Sequence, residues 1–179
     1  MKQQPDKGLV IIYTGNGKGK TTAALGLVLR AAGYQKKVKI LQFMKQWETG
    51  EYRAIQKYLP TVEISRWGDG WVKIMGDKKP LRDHLRAVKD TYDKALALVR
   101  NPEADVIVLD ELLSALAGEL VTEEQVLELI RTKPPLLDLV ITGHKLTPKI
   151  EEAADLVTEM RKIKHPYDKG VLAKQGIDF

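Results

Sequence analysis

Short apolar runs alternate along this chain with stretches whose apolar residues recur every three to four positions. The runs Leu9 to Tyr13, Val38 to Phe43, Val62 to Ser65, Val106 to Leu109, Leu136 to Ile141 and Leu156 to Met160 predict strands. Helical spacing runs from about Lys20 to Ala32, where Gly33 is placed as a left-handed stop, and from Glu51 to Tyr58. Leu81, Leu85, Val88, Tyr92, Ala95, Leu96 and Val99 mark a long amphipathic helix. Further helices are expected over Leu112 to Ala117, after Thr122 as N-cap, and over Pro148 to Ala154. Strands separated by helices predict parallel βαβ units: an α/β fold with a mostly parallel central sheet of about six strands flanked by helices. Val106 to Leu109 is short and continuously apolar, as a central strand buried on both faces would be.

The chain has 179 residues with no repeat and no long linker, which predicts one domain over residues 1–179. Residues 1–7 read as a polar arm, and 164–179 as a tail without clear period. Hydrophobic residues make up 44%, enough for a core, and there is no cysteine, which excludes disulfides, thiol catalysis and cysteine-ligated metal. No apolar signal region or membrane-length run occurs, so a cytoplasmic protein without membrane contact is expected. The net charge is +5, but the basic residues are scattered and no aromatic residues alternate with them. A nucleic-acid partner is therefore not expected, whereas polyphosphate ligands or an acidic protein would suit the charge.

The chemistry concentrates behind the first strand, in Thr14-Gly15-Asn16-Gly17-Lys18-Gly19-Lys20-Thr21-Thr22. Strand, glycine-rich turn and helix form the setting in which backbone N–H groups converge on phosphate oxygens at a helix N-terminus. Lys20 supplies a mobile cation and Thr21 a hydroxyl within reach of magnesium. Thr14 stands where the usual phosphate-loop pattern has its first glycine, and Gly15 follows it, so the turn is one residue shorter between its outer glycines. A nucleoside triphosphate, or something shaped like one, is expected at Gly15, Asn16, Gly17, Lys18, Gly19, Lys20, Thr21 and Thr22, which the family resemblance below makes an ATP-binding set.

A second motif, Val106-Ile107-Val108-Leu109-Asp110-Glu111, ends a buried strand in two carboxylates. Beside a phosphate loop, a strand-end acid orients magnesium or its water shell. Asp110 could also cap the helix that starts at Leu112, with Glu111 in its first turn, and the two roles are compatible. His84, His144 and His165 form no metal-ligand pattern, and His165 before Pro166 reads as an anchor for the tail.

Together with DLVITGH and the tail from His165 to Asp178, these motifs resemble the P-loop-type ATP:corrinoid adenosyltransferases, over nearly the whole chain from Gly8 to Phe179. The short loop with Thr before its first glycine is that family's variant. The resemblance implies a RecA-like P-loop fold and transfer of the 5′-deoxyadenosyl group of ATP to the cobalt(I) of a corrinoid, with release of triphosphate, in adenosylcobalamin synthesis or salvage. It implies Lys20, Thr21 and Glu111 as catalytic residues, Thr21, Asp110 and Glu111 at the magnesium, and a homodimer. An acidic flavoprotein is the reductant suggested by the basic surface. The family's corrinoid-contacting aromatic loop corresponds to Arg66 through Lys73, where Trp67 and Trp71 are the candidates. There Lys73 replaces a second aromatic, His144 stands where many relatives have Arg, and the N-terminal extension is very short. A RecA-like ATPase or kinase, and a non-catalytic nucleotide-binding regulator, remain the competing readings.

Overall fold

In a computed structural model of the chain, residues 7–45, 47–66 and 81–179 are described. The strands are β1 (Val10–Thr14), β2 (Val38–Gln42), β3 (Val62–Arg66), β4 (Val106–Asp110), β5 (Asp138–Thr142) and β6 (Leu156–Glu159). They form one sheet in the order β3-β2-β4-β5-β1-β6, every pairing parallel. The helices are α1 (Lys20–Gly33), α2 (Gly50–Tyr58), α3 (Leu81–Arg100), α4 (Leu112–Ala117), α5 (Glu123–Thr132) and α6 (Pro148–Glu152). A 3-10 turn, Pro166–Lys169, lies in the tail. None of the helices is long and apolar enough to cross a membrane, among the described residues.

Strand alternation divides the core in two. On β4, Val106 and Val108 face one layer, with Ala24, Val28 and Ala31 of α1 and Ile55 of α2. Ile107 and Leu109 face the other, with Val88, Tyr92 and Ala95 of α3 and Val126 and Leu129 of α5. β1 and β5 divide the same way, through Ile11 and Val140 against Ile12 and Ile141. Both faces of the central strands are thus covered, which is why these strands read as continuous apolar runs rather than alternating ones. Each fully buried Ile or Leu contributes roughly 1.5–3 kcal/mol by leaving water.

The connections from β1 to β2 and from β2 to β3 move toward one edge, and those leaving β3, β4 and β5 move back toward the other. α1 therefore leaves the carboxyl end of β1 and crosses β5 and β4 on its way to β2. That path carries the first turn of α1 to the end of β4, three strand positions from its own strand's edge partner β6.

Two local expectations change. Gly33 is the last residue of α1 and not a left-handed stop; the left-handed residue is Gln35, at φ 59°. The loop closes two residues later because the N–H groups of Tyr34, Gln35 and Lys36 bond back to Ala31 and Ala32. β5 starts at Asp138, since Leu136 is 72% exposed in the turn before it. The Thr122 cap is present as a full capping box: its hydroxyl accepts from Gln125 N at 3.2 Å, and its own N–H donates to Gln125 Oε1 at 2.8 Å.

Candidate functional site

The turn after β1 is built around its own backbone. Gly19 has φ 119°, a conformation a side chain would strain. Gly17 N–H donates to Met160 O at 2.6 Å, and a Cβ on Gly17 would lie 2.6 Å from that same oxygen. The β6 exit therefore presses on the loop from outside, and only glycine admits it. Asn16 adds to this clamp, its Oδ1 accepting from Lys162 N at 2.9 Å.

Lys20 is buried, 6% exposed, and its ammonium donates to Gly15 O at 2.9 Å and Gly17 O at 2.8 Å. Burial pushes its pKa below the ordinary lysine value, while Glu111 and Asp110 pull it back. Lys18 is exposed, donating to Ile177 O at 2.9 Å and pairing with Asp178. The last residues of the chain thus return to the loop. Gly176 to Phe179 form one wall of a pocket of about 400 Å³, whose other walls are Lys18 to Thr22, Lys45, Glu51 and Glu111.

At the end of β4, the two carboxylates divide their work. Asp110 is 1% exposed and accepts from Thr21 Oγ1 and Thr142 Oγ1, both at 2.8 Å, and from Gln42 Nε2 at 3.1 Å. It is a hub that fixes three strand ends and α1, and the reading of Asp110 as the cap of α4 is not realised. The residue before α4 is Glu111, left-handed at φ 65° and making no side-chain cap. That turn directs Glu111 to the pocket. Burial, then the neighbouring Asp110 charge, raise its pKa above the ordinary carboxylate value, against the opposing pull of Ser114 and Lys20. Ser114 Oγ donates to Glu111 Oε2 and accepts from His144 N at 3.2 Å. His144 Nδ1 in turn lies 3.2 Å from Gly15 O, so its proton sits there. One chain of contacts therefore runs from the acid of β4 through α4 and the end of β5 to the phosphate loop.

Of the expected site residues, Lys18 to Thr22 and Glu111 line one pocket, Asp110 lies behind it on the Thr21 hydroxyl, and Gly15 to Gly17 form the turn that Lys20 bonds. Trp67 and Trp71 lie outside the described residues. Sequence reasoning missed Lys45 and Glu51. Lys45 Nζ lies 2.7 Å from Glu51 Oε1 and 3.9 Å from Asp110 Oδ2. Their signal was position: Lys45 follows the carboxyl end of β2, where ligands of open parallel sheets bind. It also missed Thr142 and Gln42, which read as ordinary strand residues. His165 serves the tail, its Nδ1 accepting from Tyr167 N at 3.2 Å.

The donor set suits a magnesium polyphosphate. Thr21 and Glu111 offer hard oxygens at the pocket, and magnesium is bound through one or two such groups plus phosphate oxygens and water. Among the described residues no cluster of three His, Asp or Glu forms an all-protein metal cage.

A family model described as ATP:corrinoid adenosyltransferase BtuR/CobO/CobP matches residues 6–179. The corrinoid adenosyltransferase of Escherichia coli (strain K12) is 34% identical over 177 residues, covering 98% of this chain and 88% of that protein. The corrinoid adenosyltransferase CobA of Salmonella typhimurium is 33% identical, with the same coverage. Among solved structures, the flagellar accessory protein FlaH of Methanocaldococcus jannaschii superposes with a TM-score of 0.54 at 14% identity, over 86% of this chain and 71% of that one. At that identity the likeness concerns the RecA-like fold alone.

Proposed function

The chain belongs to the ATP:corrinoid adenosyltransferase family, and we propose that the residues at the ends of β1 and β4 carry that family's reaction here. The enzyme is a transferase that moves the 5′-deoxyadenosyl group of ATP to a corrinoid. The cobalt(I) lone pair attacks the ribose C5′, the C5′–O bond breaks, and triphosphate leaves with that bond's electron pair. Cobalt becomes formally cobalt(III) in the new cobalt–carbon bond. No proton is abstracted and the nucleophile belongs to the substrate, so the site needs no activated serine or cysteine and no general base.

The protein's contribution is placement and charge. Holding C5′ in line with the metal centre supplies up to roughly 7–11 kcal/mol in favourable intramolecular systems. The loop N–H groups and Lys20 are aimed at the leaving triphosphate, where stabilisation of developing charge counts most. Lys20 now bonds Gly15 O and Gly17 O, and phosphate oxygens would take those bonds over. Magnesium bound by Thr21 and Glu111 would supply further neutralisation of the triphosphate. Asp110 holds the Thr21 hydroxyl in place. Trp67 and Trp71 are the proposed corrinoid contacts, on the family's loop pattern alone. A homodimer, a cytoplasmic location and an acidic flavoprotein as reductant complete the reading.

The observation that carries the proposal is that Lys20 and Thr21 face Glu111 across one pocket in a chain that matches the family over almost its full length. The test is the product pair. With ATP and a chemically reduced corrinoid the reading requires an adenosylated corrinoid and intact triphosphate, whereas an ATPase leaves ADP and phosphate.

A further inference from the structure

We propose that Lys45 is a second triphosphate-binding cation, held at the pocket wall by Glu51 until the phosphate chain arrives. The inference rests on the reading of the pocket as a triphosphate site.

Lys45 stands after β2, and Glu51 lies in the first turn of α2, whose N-terminus begins at Gly50. Both side chains are 21% exposed and both line the same pocket as Lys20, Thr21 and Glu111. Lys45 Nζ is bracketed by two carboxylates, Glu51 at 2.7 Å and Asp110 at 3.9 Å. Burial raises the Glu51 pKa, but the bond and charge of Lys45 outweigh it, so Glu51 is held ionised.

The cations near the loop are already matched: Lys18 by Asp178, Lys20 by the field of Asp110 and Glu111, and Lys45 by Glu51. A triphosphate, even with magnesium, brings net negative charge to a site where three ammonium groups already face four carboxylates. Cleavage of the C5′–O bond then adds charge on the departing oxygen. Lys18 lines the same pocket but is tied to Ile177 O and Asp178, and Lys20 is tied to Gly15 O and Gly17 O. Lys45 lines the same pocket from the end of β2, on a flexible stem that lets its ammonium exchange one oxygen partner for another. A charged hydrogen bond of this kind is roughly twice as strong as a neutral one.

Titration of the protein with inorganic triphosphate and magnesium, followed by calorimetry, separates a ligand from a strut. Lys45→Met is expected to weaken triphosphate binding about tenfold, as loss of one charge-assisted contact implies. Lys45→Arg retains most of it. Glu51→Gln removes the competing carboxylate, so it binds triphosphate at least as tightly as the parent. The opposite signs are the mark of a held ligand. Parental affinity in Lys45→Met, or a Glu51→Gln loss that matches Lys45→Met with an equal fall in Tm, would make the pair a structural brace and overturn the assignment. Adenosyl transfer by the parent protein is read separately. A parent that binds triphosphate but transfers nothing contradicts the proposed reaction, while the Lys45 assignment still stands or falls on the titration.

Discussion

The hydroxyl of Thr21 donates to Asp110 Oδ1 at 2.8 Å, joining the first turn of α1 to the carboxyl end of β4. The same oxygen accepts from Thr142 at 2.8 Å, and Oδ2 accepts from Gln42 at 3.1 Å. The phosphate loop and three strand ends therefore share one buried carboxylate.

Asp110→Ala leaves those three donors without an acceptor. A buried donor left unpaired costs about 1–3 kcal/mol, so a fall in unfolding free energy of at least about 3 kcal/mol is expected from the urea midpoint. Asp110→Asn should cost less, because the Gln42 amide can turn and present its oxygen. Equal stability of parent and Asp110→Ala would remove the hub from this account.

Lys20→Ala takes away the buried loop cation. Donors that stabilise a leaving or developing anion are worth about 100-fold or more in kcat, and a loss of that size in kcat/KM is expected. The fold should survive, since the Lys20 ammonium bonds only loop carbonyls. Near-parental kcat/KM would exclude Lys20 from the leaving-group site.

Glu111→Gln keeps the shape of the left-handed turn and removes the charge that faces the pocket. The magnesium concentration for half-maximal activity should rise, while ATP binding without metal changes little. Superimposable magnesium titrations of variant and parent would reduce Glu111 to the residue that starts α4.

The strands and helices were legible because burial on both faces turns β4 and β5 into unbroken apolar runs, and amphipathic spacing marks α3. The loop and the β4 acids were legible because each motif is contiguous in sequence. Lys45, Glu51, Thr142 and Gln42 were not. They meet Asp110 or line the pocket only because the strand order β2-β4-β5 sets the ends of three separate strands side by side. The return of Gly176 to Phe179 to the loop was hidden for the same reason, since Lys18 and Asp178 are joined across 160 positions of the chain. Gly33 misled because a glycine after a helix is the common left-handed stop, whereas here Gln35 takes that conformation.

His144 gives a pH signature. His144 is exposed at the surface, but partial loss of water around the ring, and then the Lys20 charge, lower its pKa from the ordinary 6.5, against the opposing bond to Gly15 O. The unfolded chain therefore takes up this proton first. The associated stability is present above the ordinary histidine value and is lost as pH falls through it toward the lowered folded value. Between about pH 8 and about pH 5.5, parent stability should fall more than that of His144→Gln. A constant difference between the two unfolding free energies would contradict the assigned environment.

The most direct measurement is product stoichiometry from the parent enzyme, with ATP, magnesium and an anaerobically reduced cobalt(I) corrinoid. The account predicts one adenosylated corrinoid and one intact triphosphate for each ATP consumed, with neither formed at an appreciable rate by Lys20→Ala. ADP and orthophosphate appearing in place of triphosphate, with the corrinoid unaltered, would contradict it.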